Sequence, residues 1–251
     1  MTAMEAEPIC EHLEWDSKFF GRRIARVKGT FLTDTGIVNI RTWCEDNRID
    51  CLYFLADSTD AKTSRLAESN NFHLVDVRVT LDCPVRAKHA PGDSPLNMRS
   101  ALERDIPRLQ TIARVSHRDS RFYYDGNFPS PLCDSLYEVW IEKSCRGWAG
   151  NVLVAEVGGE PVGYISCHLP THKTGKIGLL GVGEKAQGKG VGKDLVGEAL
   201  RWFANQGVES VNVVTQGRNV RAQRLYQRCG FVTRSVELWF HKWFLGNSGK
   251  A

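Results

Sequence analysis

The sequence predicts an α/β (α+β) fold, with strands and helices alternating around a mixed sheet. Three observations carry this. Apolar runs of strand length alternate with amphipathic stretches of helical length through most of the chain. A hairpin signal, "NVLVAEV", "GGEP", "VGYISCHL", introduces antiparallel pairing. One strand–helix–strand unit recurs: "LYFLADSTDAKTSRLAESNNFHLVDVRVTL" (52–81) lies ungapped over "VNVVTQGRNVRAQRLYQRCGFVTRSVELWF" (211–240) at an offset of 159.

The elements follow in order. The N-terminal part reads as a strand ("FFGRRIARVKG"), a helix over about 35–47, a strand ("CLYFLAD"), a helix and a strand. At "CPVRAKHAPGDSPL" (83–96) three Pro, a Gly and polar residues break the pattern. The expected organisation is a smaller domain over 1–88, a linker over 89–95 and a larger domain over 96–248. The larger one opens with a short strand ("LNMRSAL") and a helix from about Asp105 to Ser116. The polar, aromatic loop "HRDSRFYYDGNFPSP" leads to a helix over 133–146, and then the hairpin. There follow the strand "KIGLLGV", a glycine-rich loop, an amphipathic helix ("GKDLVGEALRWFANQG"), the strand "SVNVVTQ", a helix ("NVRAQRLYQRCG") and the strand "FVTRSVELWFHKW". The polar positions of the repeat do not recur, for Asn219 falls over Asp60 and Tyr226 over Ala67.

Composition narrows the function classes. Hydrophobic content of 42% with 25% charged residues is that of a soluble globular protein. No apolar run approaches the roughly 18 residues of a membrane span. The acidic start, "MTAMEAEPICEHLEWDS", lacks the apolar segment of a secretory signal. The eight cysteines form no C-x-x-C and sit mostly in apolar stretches, so reduced core thiols in a cytoplasmic protein are expected. His168 and His172 have H-x₃-H spacing beside Cys167, but Pro170 separates them and no second ligand pair is near. No metal is expected. Residues 91–251 hold 21 basic and 15 acidic side chains, an excess that favours a phosphate-bearing ligand. No basic stripe interleaved with aromatics points to nucleic acid.

"GVGEKAQGKGVG" (181–192) fits three nucleotide-binding patterns. As a P-loop it fails on chemistry, because Gly190 stands where a Ser or Thr hydroxyl must ligate Mg²⁺. As a dinucleotide fingerprint, G-x-G-x-x-A, it fails on geometry: that helix must open within the glycines on the first strand of a βαβ unit. As Q-x-x-G-x-G it fits. Gly188, Gly190 and Gly192 let the backbone approach a pyrophosphate, the following helix contributes its positive end, and Lys189 and Lys193 add charge.

Together with that loop, Asn219, Ala222, Leu225, Tyr226, Gly230 and Phe231 spell N-x-x-A-x-x-L-Y-x-x-x-G-F. The pair of motifs resembles the GNAT superfamily of N-acetyltransferases over about residues 95–245. The segments "LEWDSKFFG", "SRFYYDGNFP", "VVTQGRN" and "WFHKW" resemble its dTDP-fucosamine acetyltransferase branch. The resemblance implies a complete GNAT fold preceded by a smaller, partial GNAT-like α/β domain. It implies acetyl-CoA as cosubstrate and a small-molecule amine, a nucleotide-linked amino sugar, as acceptor; a homodimer is compatible with it. The alternatives are another amine (an aminoglycoside, polyamine, amino acid or protein N-terminus) or a non-catalytic acetyl-CoA-binding module.

The same resemblance implies the site. Leu180, Gly181 and Val182 would offer backbone groups to the cosubstrate where their strand splays at a bulge, with the Val182 N–H as oxyanion donor. Gln187, Gly188, Lys189, Gly190, Val191, Gly192 and Lys193 would hold the pyrophosphate. Asn219 would cap its helix or bond the pantetheine. Tyr226 would be the general acid that protonates the departing thiolate. Ser120, Arg121, Phe122, Tyr123 and Tyr124 are the candidate acceptor pocket, Arg121 for a diphosphate and an aromatic for stacking. Glu184, His168, His172 and His241 lie near strand ends, and none is assigned as the base.

Overall fold

The computed structural model describes residues 9–85 and 96–244. The expected linker 89–95 lies outside the described residues. The chain forms two compact units, and strands β4 and β10 below are divided between them.

The first unit comprises residues up to Arg78, Tyr124–Phe128, and Val236 onward. It holds β1 (Cys10–His12), α1 (Glu14–Phe20), β2 (Ile24–Val27), α2 (Asp34–Asp46), β3 (Cys51–Asp57), α3 (Ala61–Ser69) and parts of β4 (His73–Pro84) and β10 (Val232–Trp243). β1 runs antiparallel to β2, β2 parallel to β3, and β3 antiparallel to β10 from Cys51–Trp243 to Asp57–Glu237. Leu52, Phe54, Phe72 and Phe240 are among the buried side chains of its core. Side chains cap α2 and α3. The Thr33 hydroxyl accepts the Gly36 amide, and the Asp60 carboxylate accepts those of Lys62 and Thr63.

The expected strand "FFGRRIARVKG" is corrected here. Phe19 and Phe20 end α1, and only Ile24–Val27 is extended. Acidic Glu14 and Asp16 in the first turn, a Trp15–Phe19 stack at 5.0 Å and a left-handed cap at Gly21 (φ 62°) favour a helix there.

The second unit comprises Val79–Tyr123 and Pro129–Ser235. It holds β5 (Asn97–Ser100), α4 (Ile106–Ser116), α6 (Ser130–Lys143), β6 (Asn151–Val157), β7 (Glu160–His168), β8 (Thr174–Val182), α7 (Val191–Asn205), β9 (Ser210–Gln216) and α8 (Val220–Arg228). Short helix α5 (Arg121–Tyr124) interrupts the expected loop before α6. The helix expected over 133–146 starts earlier, at Ser130, with Pro131 in its first turn; beyond Lys143 the chain widens into a π segment, Ser144–Trp148. The strand order is β4-β9-β8-β7-β6-β5. β5 to β8 pair antiparallel and β8 with β9 parallel, so the sheet is mixed and the class α/β.

The repeat is visible in the elements themselves. β3, α3 and β4 begin at 51, 61 and 73, and β9, α8 and β10 begin at 210, 220 and 232, each 159 residues later. The caps match as well: Asp60 and Asn219 open the two helices, and Asn71 (φ 59°) and Gly230 (φ 90°) turn the chain after them.

Candidate active site

Strand β8 is parallel to β9 for four residues only. That ladder runs from Thr174–Ser210 to Ile177–Val213 and stops, although β8 continues to Val182 and β9 to Gln216. The stop coincides with a bulge. Ile165 faces Leu180 and Cys167 faces Ile177, so Ser166 of β7 stands opposite both Gly178 and Leu179. Past the bulge, the Gly183 amide donates to Val162 O at 2.9 Å, which makes Gly163 and Val182 a non-hydrogen-bonded pair. The amide and carbonyl of Val182 therefore point away from β7, toward the side from which β9 has parted.

The glycine loop closes this end of β8. Gln187 donates from Nε2 to the Val182 carbonyl at 3.0 Å and accepts from Arg221 Nη2 at 3.1 Å. Gly188 (φ 75°) and Gly190 (φ 87°) are left-handed, a conformation that side chains disfavour. Helix α7 opens at Val191 without a side-chain cap, and its first internal bond is Asp194 N–H to Gly190 O. The amides of Val191, Gly192 and Lys193 thus have no carbonyl within the helix. Lys189 and Lys193 are exposed beside them. Three amides without a carbonyl in the helix, beside two flanking ammonium groups, suit a pyrophosphate.

Helix α8 follows β9. Asn219 caps it, accepting the Ala222 amide at 3.0 Å. Tyr226 is 4% exposed with its ring 5.6 Å from that of Phe231. Burial pushes its phenol well above the ordinary range, with the Cys229 sulfur adding to the effect, so the hydroxyl keeps its proton at neutral pH.

The residues expected to form the acceptor pocket separate by environment. Phe122 is buried, with the Arg121 guanidinium 4.2 Å over its ring, and the Tyr123 hydroxyl donates to Asp134 at 2.6 Å. Ser120 is buried and Tyr124 exposed. Arg218, just before α8, donates to the Asp119 carbonyl at 3.1 Å, so the turn leading to Ser120 is tied to the start of that helix. Of the ionisable groups left unassigned, Glu184 and His172 are exposed, His168 packs edge-on to Trp148 at 5.2 Å, and His241 is buried against Asp125 in the first unit. Sequence reasoning passed over His117 and Tyr164, which hydrogen-bond at 3.1 Å beside Gly181. They are 47 residues apart and share no motif. No group of three or more metal-ligating side chains occurs among the described residues, and no described helix is long and apolar enough to cross a membrane.

Comparison with known proteins agrees with this geometry. The Acetyltransferase (GNAT) family profile matches residues 114–231. The dTDP-fucosamine acetyltransferase of Escherichia coli is 27% identical over 241 residues, covering 95% of this chain and all of that protein. The spore coat polysaccharide biosynthesis protein SpsD of Bacillus subtilis is 27% identical over 139 residues, which is 55% of this chain and 48% of that protein. Among solved structures, a GCN5-related N-acetyltransferase from Sphaerobacter thermophilus shares the fold with a TM-score of 0.65 at 15% identity, covering 93% of this chain and 76% of that one. Residues 114–231, which hold the parted strands β8 and β9 and the glycine loop at the head of α7, thus match the GNAT acetyltransferase family.

Proposed function

We propose that the protein transfers an acetyl group from acetyl-CoA directly to the amine of a nucleotide-linked amino sugar. The observation that carries the acetyl-CoA part is the end of the β8–β9 ladder at Ile177–Val213, with the Val182 amide turned to that side. Bound acetyl-CoA would supply the activated thioester. The backbone of Leu180–Val182 would pair with its pantetheine, and the amides and lysines of 188–193 would hold its pyrophosphate. The Val182 N–H would take the charge that develops on the thioester oxygen. The amine would attack as the free base, the C–N bond would form and the C–S bond break, the nitrogen would lose its extra proton through water, and Tyr226 would protonate the leaving sulfur.

The nucleotide-sugar part is supported by the full-length likeness to the E. coli dTDP-fucosamine enzyme. Arg121 is the candidate for its diphosphate. The offset of 159 between the two strand–helix–strand units supports reading residues 1–88 as a partial copy of the 96–248 domain. Residues 1–88 carry no glycine loop like that of 188–192, so this copy would bind no coenzyme A, and Ala67 in place of Tyr226 would leave it without a general acid. Thiol release from acetyl-CoA over a panel of amines tests the whole reading. A dTDP-linked 4-amino-4,6-dideoxyhexose should be the best acceptor, and a preference for polyamines, aminoglycosides or peptide N-termini would replace it.

A further inference from the structure

Tyr164 on β7 is fully buried, and its ring lies on the α-carbon of Gly181: a Cβ there would stand 2.6 Å from Cε1 and 2.9 Å from the hydroxyl oxygen. That hydroxyl has one hydrogen-bond partner among the described residues, His117 Nε2 at 3.1 Å. A buried O–H that donates to nothing forfeits its hydration without return. Tyr164 therefore donates and Nε2 accepts, which leaves His117 neutral with its proton on Nδ1. The surroundings agree. The imidazole stacks on another phenol, Tyr137, at 4.5 Å and 22°, and burial pushes it down to about 4. His117 nevertheless keeps part of its surface open. Three residues on, the Ser120 amide donates to the His117 carbonyl at 3.2 Å, while the Ser120 hydroxyl is buried without a hydrogen-bond partner among the described residues. Such a group calls for an explanation.

We propose that the His117 Nδ1–H and the Ser120 hydroxyl bind an oxygen of the acceptor, so that this turn selects amines carrying a hydroxyl near the reacting nitrogen. The proposal rests on the acetyl-transfer reading and deepens it. An arriving amine is mostly protonated, and a Lys or Arg donor at this point would repel it. An uncharged N–H holds a neighbouring hydroxyl with no such opposition. A plain alkylamine would leave both groups without a partner, and a polar site rejects an analogue that lacks its oxygen for that reason.

Nitrogen-15 NMR of the histidine-labelled full chain tests this directly. His117 should be the neutral Nδ1–H tautomer at pH 7, and its Nδ1 resonance should move with a free amino sugar and not with an alkylamine of similar size. In turnover, His117→Phe should lower the preference for amino sugar over alkylamine, measured as the ratio of their KM values, by roughly 10- to 100-fold. His117→Asn, whose amide nitrogen can stand near Nδ1, should restore much of it. An Nε2–H tautomer, an Nδ1 resonance indifferent to the amino sugar, or an unchanged preference in His117→Phe overturns the proposal. If the wild-type protein acetylates no amine, the proposed function fails, and the tautomer and the resonance shift still decide this point.

Discussion

The Ser166 hydroxyl accepts the Leu179 amide at 2.8 Å, so a fully buried side chain replaces a ladder carbonyl at the bulge where β8 parts from β9. Removing the hydroxyl would strand a buried N–H, which costs about 1–3 kcal/mol. Ser166→Ala should lose stability of that order in urea unfolding. It should also raise the KM for acetyl-CoA, because the strand geometry past Leu179 would no longer be held. Unchanged values in both measurements would show that the bulge is set by packing alone.

Gly190 precedes α7 with φ 87°, and a Cβ there would meet nothing within 4 Å. Space is therefore not the constraint; backbone conformation is. Gly190→Val would oppose the left-handed turn by about 1–2 kcal/mol or more and re-aim the amides that follow. We expect a folded protein by circular dichroism whose affinity for acetyl-CoA, measured by calorimetry, falls by about tenfold or more.

Features written in local spacing were legible in the sequence. The glycines of 188–192 and the amphipathic pattern behind them place a loop and a helix start, and Val191 does open α7. The repeat was legible because both copies keep the same lengths of strand, cap and helix, from Asp60 and Asn219 onward. The bulge was expected from the family resemblance and not from the pattern itself, since "KIGLLGV" is apolar on both sides of Gly178 and Leu179, and one extra residue leaves no mark there. Phe19 and Phe20 read as strand because aromatic side chains favour extended backbone, whereas the Gly21 cap and the stack on Trp15 decide for helix. Pairs such as His117 with Tyr164, or Asp125 with Trp243 at 3.0 Å, bring together residues 47 and 118 positions apart, and no local spacing encodes them.

His117 gives the protein a pH dependence with a definite sign. Its folded-state value, about 4, lies below the ordinary 6.5. As pH falls from 6.5 toward 4, the unfolded chain takes up a proton that the folded chain refuses, and stability falls. His117→Asn removes the group, so the difference in Tm between wild type and variant should shift against the wild type over that window and stay level above pH 7. A difference independent of pH from 4.5 to 7.5 would mean that the imidazole is charged at acid pH in the folded protein.

Tyr226 should act on the chemical step and on little else. It is buried on α8, its phenol keeps its proton, and its ring packs near Phe231. Tyr226→Phe retains the ring and its packing and removes only the donor. Acetyl-CoA affinity should therefore change little, while transfer slows by about 10²–10⁴-fold, the usual worth of general acid catalysis. Loss in kcat with an unchanged KM identifies an interaction made in the transition state and not in the ground state. Product release can conceal such a loss, so the comparison belongs in single-turnover rates measured by rapid quench. A variant as fast as wild type in that experiment would show that water, and not Tyr226, protonates the departing thiolate.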